Sequence, residues 1–287
     1  LTMNNNAIFL IECPDQKGIV SAISDFIFRH GGNITEVDQY IDRESKQFFM
    51  RLVWDMDTFN LNETEVAPTF AKEIAQKYAI KWQLYFTKKP LRMGLFVSKL
   101  SHCLFDILGR HQSGDWEVEI PVIVSNHESL QSIAQAFNIP FVYLPINKNN
   151  KKEQEAKQLQ LMRDYNIDFI VLARYMQILS EEFIAQYPNK IINIHHSFLP
   201  AFVGAKPYHA AYQRGVKIIG ATSHYVTNDL DAGPIIEQDV APVKHNNTIG
   251  DLIQIGKDIE KVVLAKAIQL HIQHKLLVVN NKTIVFN

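Results

Sequence analysis

Asn193 and His195 stand two apart at the end of the apolar run Ile191-Ile192-Asn193-Ile194. Side chains alternate across a β-strand, so these two share a face. His224 and Asp231 follow within Ser223-His224-Tyr225-Val226-Thr227-Asn228-Asp229-Leu230-Asp231-Ala232-Gly233. A carboxamide, an imidazole and a carboxylate are what acyl-level chemistry at neutral pH requires. The amide can hold a developing oxyanion, the imidazole can move a proton, and the carboxylate can orient the imidazole or a water. A lone Asn or His at a strand end is more often a satisfied structural residue. The case rests on the set, which includes Ser197 and Leu199-Pro200, all at strand ends or on the loops beyond them. In an open α/β sheet, ligands bind beyond the carboxyl ends of the strands.

The elements that must position these groups fall into two patterns. Residues 7–12 read as a strand, and Ile19, Val20, Ile23, Phe26 and Ile27 recur at helical spacing. Residues 34–41 and 47–56 alternate as strands, residues 65–78 read as a helix, and residues 80–86 as a last strand. That order, βαββαβ, is the ferredoxin-like split arrangement. Thr87-Lys88-Lys89-Pro90 is the expected linker, giving domains at 1–87 and 88–287. Beyond it, strands are expected at 92–97, 120–124, 141–144, 167–173 and 191–194. Helices are expected at 101–111, 129–137, 151–165 and 181–187. This alternation predicts an open, mostly parallel, Rossmann-like α/β sheet. The nearly continuous apolar stretch 167–173 predicts a strand covered on both faces. Long strand candidates at 217–226 and 234–241, a helix over 248–275 and a hairpin around Asn280-Asn281-Lys282 complete the chain.

With 287 residues, 47% of them hydrophobic and 21% charged, the composition is that of a globular protein. A net charge of -1 gives no electrostatic footprint for nucleic acid or an anionic membrane. No apolar run approaches the roughly 18 residues of a membrane span, and the start is unlike a secretory signal. Cys13 and Cys103 cannot build a disulfide framework or a zinc ribbon. A reduced, cytoplasmic protein is the expectation. His195, His196, His209 and His224 do not suggest a metal, because neighbours on a strand point to opposite faces and would not chelate one ion.

Residues 90–245 resemble the formyltetrahydrofolate-using transferase family. Asn193-x-His195, Ser197-x-Leu199-Pro200 and His224-x-Val226-Thr227-x-x-x-Asp231-x-Gly233 follow its pattern in order and spacing. The resemblance implies a formyltransferase-type fold and a catalytic trio of Asn193, His195 and Asp231, supported by His224 and Ser197. It also implies a folate pocket along residues 172–179, with Arg174, Met176, Gln177, Ile178 and Leu179 as contacts. Two features depart from the transferase pattern. His196 stands where those enzymes have Pro. Residues 97–104 replace their Gly-rich acceptor loop, and no glycine follows Val97 to allow close backbone approach to a phosphate.

Residues 1–85 resemble an ACT domain, through Cys13-Pro14-Asp15-Gln16-Lys17-Gly18-Ile19-Val20 and then Gly31-Gly32-Asn33-Ile34. That resemblance implies a regulatory amino-acid site at Asp15, Gly18, Gly31, Asn33 and Ile34, methionine or glycine as effectors, and paired modules in a homo-oligomer. The competing reading is that Gly31-Gly32 only cap the preceding helix. With this module attached, nearly the whole chain is similar to the formyltetrahydrofolate deformylase family. The activity so implied is hydrolysis of 10-formyltetrahydrofolate to formate and tetrahydrofolate, with no tightly bound cofactor. It would balance one-carbon pools and supply formate for purine synthesis. Formyl transfer to an amine, and a non-catalytic folate or amino-acid sensor, are the alternatives.

Overall fold

The structure is a computed structural model that describes residues 5–200 and 207–287. By internal contacts the chain forms two units, Leu1–Pro90 with Val285–Asn287, and Leu91–Ile284.

The first unit runs β1 (Asn6–Pro14), α1 (Ile19–Arg29), β2 (Asn33–Asp42), β3 (Gln47–Asp55), α2 (Glu63–Phe70), a π-helical stretch Ala71–Ala75, α3 (Gln76–Tyr78) and β4 (Lys81–Phe86). The sheet order is β2-β3-β1-β4, with antiparallel pairing, as the βαββαβ pattern predicts. The second helix begins two residues before its expected start because Asn62 caps it. The Asn62 side chain accepts from the Thr64 N–H at 3.0 Å, while the Glu65 carboxylate accepts from the Asn62 N–H at 3.0 Å. One face of the sheet buries Phe9 and Trp54 against Phe26 and Phe70 from the helices, with Phe9–Phe70 ring centroids 4.4 Å apart. Tertiary burial of this apolar face holds the short helices, whose intrinsic propensity alone would not.

The second unit begins with β5 (Leu91–Val97), α4 (His102–Ser113), β6 (Val118–Ser125), α5 (Gln131–Ala136), β7 (Phe141–Tyr143), α6 (Lys151–Asp164) and β8 (Phe169–Ala173). It continues with α7 (Glu181–Ile184), β9 (Ile191–His195), α8 (Pro207–Arg214), β10 (Ile218–Tyr225), β11 (Ile235–Pro242), α9 (Ile249–Ile272), β12 (Leu276–Val279) and β13 (Lys282–Val285). Its main sheet has seven strands in the order β11-β10-β9-β8-β5-β6-β7. The stretch β9-β8-β5-β6-β7 is parallel, while β10 and β11 are antiparallel additions. Chain order reverses at β5, whose neighbours are β6 on one side and β8 on the other, so the switch point lies between β5 and β8.

Strand β8 explains why its sequence is apolar throughout. Phe169, Val171 and Ala173 enter one core cluster, Ile170 and Leu172 the other, and all are buried. Helix α7 is a single turn rather than the expected 181–187. Ser180 caps it, its hydroxyl accepting from the Phe183 N–H at 3.2 Å. Pro188 then disfavours helix at Tyr187. The β12–β13 hairpin turns on Asn280 and Asn281, with φ of 47° and 60°, the left-handed pair that a tight hairpin needs.

Candidate active site

Strand β9 sets Asn193 and His195 on one face, and antiparallel β10 brings His224 opposite Asn193. The Asn193 Nδ2 lies 3.2 Å from His224 Nε2, and His224 Nδ1 lies 2.8 Å from the Tyr225 carbonyl oxygen. A carbonyl can only accept, so Nδ1 carries the proton. The Nε2 of neutral His224 then accepts one N–H of the Asn193 amide and leaves the other available.

Asp231 arrives on the loop after β10, in the left-handed region at φ 54°. Its Oδ2 lies 3.2 Å from His195 Nδ1 and its Oδ1 3.7 Å from His224 Nε2. The hydrogen bond from His195 holds its carboxyl well below the ordinary carboxylate range, against the opposing effect of burial. The loop can bring Asp231 here because residue 233 is glycine: a Cβ at Gly233 would overlap the Tyr225 carbonyl oxygen. With Nδ1 turned to Asp231, the buried Nε2 of His195 has no protein partner among the described residues.

These groups border a cavity of about 390 Å³. Asn193, His195, His196 and His224 line it together with residues 226–228, Leu230, Asp231 and residues 175–179. Met176 and Ile178 are 57% and 61% exposed, an apolar rim suited to a flat heteroaromatic ligand. The rim loop is tied from beneath. Gln158 on α6 donates to the Tyr175 hydroxyl at 2.9 Å, and the Ser180 N–H donates to Glu155 at 3.0 Å. The Met176 N–H donates to Ser98 at 2.9 Å.

Of the residues singled out from sequence, Asn193, His195, His224, Asp231, Met176, Gln177, Ile178 and Leu179 meet at this cavity. Arg174 and Ser197 are not among its lining. Arg174 directs its guanidinium to His196 Nδ1, at 2.6 Å, and toward Glu260, at 3.5 Å. Ser197 is buried, and its carbonyl accepts from the Thr222 hydroxyl at 2.9 Å. The expectation that His195 and His196 face opposite ways fails. β9 ends at His195, so alternation stops there, and the two rings stack with centroids 5.1 Å apart.

Sequence reading missed Glu260, His102 and Tyr208, which form a buried polar cluster with Arg174. The available signal was a glutamate on the apolar face of α9, among Gly256, Ile259, Val263 and Leu264. His102, Cys103 and Glu260 bring ligand-type atoms within 4.8 Å of one another. The Glu260 charge is met by Arg174, and its two oxygens are engaged by the Tyr208 hydroxyl and by His102. The donor set therefore suits an internal ion-pair network better than a metal.

In the first unit, Gly31 and Gly32 close α1. The Gly31 N–H donates to the Phe28 carbonyl at 3.0 Å and the Gly32 N–H to the Ile27 carbonyl at 2.9 Å, with Gly31 at φ 77°. Capping accounts for the left-handed Gly31, while at Gly32 a Cβ would press on the side chains of Ile27 and Phe59. Gly18, at φ 90°, precedes α1, Asn33 and Ile34 open β2, and Asp15 is exposed.

Residues 91–268 match the formyl transferase family model and residues 7–77 the ACT domain model. The chain is 52% identical over 283 residues to a formyltetrahydrofolate deformylase of Synechocystis sp., covering 99% of each. It is 50% identical to that of Bacillus subtilis, over 97% of this chain and 93% of that one. The crystal structure of a formyltetrahydrofolate deformylase from Pseudomonas syringae pv. tomato superposes with a TM-score of 0.95 at 42% identity, over 99% of this chain and 95% of that one. A glycinamide ribonucleotide transformylase 1 from Symbiobacterium toebii gives 0.66 at 27% identity, over 71% of this chain and 98% of that one.

Proposed function

This chain belongs to the formyltetrahydrofolate deformylases, and from that membership we infer that it hydrolyses 10-formyltetrahydrofolate to formate and tetrahydrofolate. The observation that carries the assignment of the site is the Asp231–His195 pair at 3.2 Å, with His195 Nε2 left for a ligand.

The folate lies along the apolar rim and presents its formyl carbon to the trio. Water adds to that carbon. The oxygen that becomes negative is held by the remaining Asn193 N–H and by protonated His195 through Nε2. Removing one such donor costs roughly 2.7–4 kcal/mol of transition-state stabilisation. Asp231 stays ionised, favours the imidazolium by its charge, and orients the attacking water. On collapse of the tetrahedral intermediate the C–N bond breaks. The water sheds one proton to bulk solvent as the C–O bond forms, His195 delivers its Nε2 proton to the leaving nitrogen, and the formic acid so formed returns a proton to His195 as it ionises to formate. Attack, oxyanion binding and leaving-group protonation are all supplied by side chains, so the scheme calls for no further cofactor. The reaction returns tetrahydrofolate and frees formate, which fits a role in balancing one-carbon pools and feeding purine synthesis in the cytoplasm.

The ACT-type unit supports a regulatory amino-acid site around Asp15, Gly18, Gly31, Asn33 and Ile34, with methionine or glycine as effector, in a homo-oligomer. One assay tests both levels. Purified enzyme with 10-formyltetrahydrofolate and no amine should release formate in step with folate consumption. Release that waits on an added amine would refute the hydrolase. Unchanged rates and melting temperature with millimolar methionine or glycine would refute those effectors.

A further inference from the structure

Beside the catalytic histidine lies a buried polar chain that the scheme above does not use. The ring of His196 stacks on that of His195, with centroids 5.1 Å apart and planes inclined by 22°. Arg174 Nη1 sits 2.6 Å from His196 Nδ1. A guanidinium has donors only, so Nδ1 must offer its lone pair. His196 is therefore neutral and carries its proton on Nε2.

Arg174 is itself held. Its backbone takes the left-handed conformation at φ 62°, which aims the side chain, and its side chain is only 10% exposed. Its Nε lies 3.5 Å from Glu260 Oε2. Glu260, on α9, accepts from the Tyr208 hydroxyl on α8 at 2.8 Å through Oε1. Its Oε2 meets His102 Nε2, on α4, at 2.8 Å. Burial opposes ionisation of Glu260, but the His102 hydrogen bond, the Arg174 charge and the Tyr208 hydrogen bond outweigh it and hold the carboxyl below its ordinary range. Three helices thus converge on one carboxylate, and the carboxylate on one guanidinium.

We propose that His196 is a positioning residue for His195, fixed in one ring plane and one neutral tautomer by the Arg174–Glu260 pair. The proposal rests on the reading of His195 as the oxyanion donor. The outer torsion of a histidine is broad. The bond from Nδ1 to Asp231 fixes one atom of the His195 ring and leaves the ring free to tilt about it. A second ring pressed on its face removes that tilt and aims Nε2. The tautomer matters equally. When His195 becomes an imidazolium, a neutral neighbour at stacking distance is tolerated and a second cation would repel it. Arg174 on Nδ1 blocks that second proton.

The test uses the full chain and steady-state formate release. His196→Phe keeps a ring to stack but removes the acceptor for Arg174. It should lower kcat on the order of ten- to a hundred-fold, the scale of a small misplacement of a catalytic group, and leave KM within about two-fold. Glu260→Gln should do the same from the far end of the chain. The double variant should be no slower than the worse single one, because both break one connection. Wild-type kcat in H196F, or losses that multiply in the double variant, would overturn the proposal. If H196F does not fold, Arg174→Met and Arg174→Lys decide. A kcat loss in R174M recovered in R174K supports the chain, and equal kcat in the two overturns it. His195→Ala run alongside separates the levels. An active H195A refutes the reading of the site, whereas an inactive H195A beside a fully active H196F refutes only the role of His196.

Discussion

Asp231→Asn tests the site most directly, because it changes charge and almost nothing else. Asn is nearly isosteric with Asp and tolerates the left-handed φ of 54° at this position. The carboxylate oxygen lies 3.2 Å from His195 Nδ1. Two unit charges at about that separation interact by roughly 5 kcal/mol at an effective dielectric near 20. The Asp231 side chain is 16% exposed, so water screens part of this. Retaining half, about 2.6 kcal/mol, already corresponds to about 10²-fold in rate, the lower end of the 10²–10⁴ range for acid–base assistance. The expected result is a kcat reduced about 10²–10⁴-fold with KM changed only a few-fold, since the carboxylate contacts histidines rather than the apolar rim. The assay is formate release at saturating 10-formyltetrahydrofolate, with melting temperature as the fold control. A folded D231N with kcat within a few-fold of wild type would refute the assignment. So would a loss confined to KM.

The same carboxylate has a pH signature. Its folded-state value lies below the unfolded one, so its stabilising contribution is present above the ordinary carboxylate pKa of about 4 and is lost as pH falls through the folded value. The wild-type minus D231N melting difference should therefore move in favour of D231N below about pH 4; a difference that stays constant from about pH 5 down to about pH 3 would contradict this. Gly233→Ala forces the loop away from the Tyr225 carbonyl and should cost about 1–3 kcal/mol of stability together with most of kcat, so unchanged melting and activity would show that the loop does not depend on that close approach. Gln158→Leu unties the Tyr175 hydroxyl from α6 and leaves it buried without this donor, at a cost of about 1–3 kcal/mol, and should raise KM several-fold with little change in kcat. A Q158L enzyme with wild-type KM would remove α6 from any role in shaping the rim.

Much of this was legible in the residues. The alternation of residues 34–41 and 47–56 foresaw β2 and β3, and the nearly continuous apolar stretch 167–173 foresaw a strand buried on both faces. The pattern identified the strands but not their burial: residues 48–54 of β3 are all buried, whereas β2 is largely exposed. Boundaries were less legible where capping chemistry intervened. Asn62 starts α2 early, and Pro188 leaves α7 at one turn. The glycines at 31 and 32 were ambiguous from sequence because a left-handed cap at Gly31 and close packing of Gly32 on Ile27 and Phe59 leave no periodic signal.

The sequence by itself determined the two-part βαββαβ and α/β architecture, and a spacing of Asn193 and His195 that could only put them on one strand face. It could not determine which oxygen Asp231 presents to which histidine. That depends on a loop shaped by the overlap a Cβ at Gly233 would make, across a register between β9 and β10 that pairs His224 with Asn193. Nor could it place His196, because strand alternation holds only while the strand continues and β9 ends one residue earlier. Only the tertiary structure joined Arg174, His102, Tyr208 and Glu260, residues far apart in the chain, into one buried charge network. Local periodicity records where strands and helices lie. It carries no record of which distant charges meet once those elements pack.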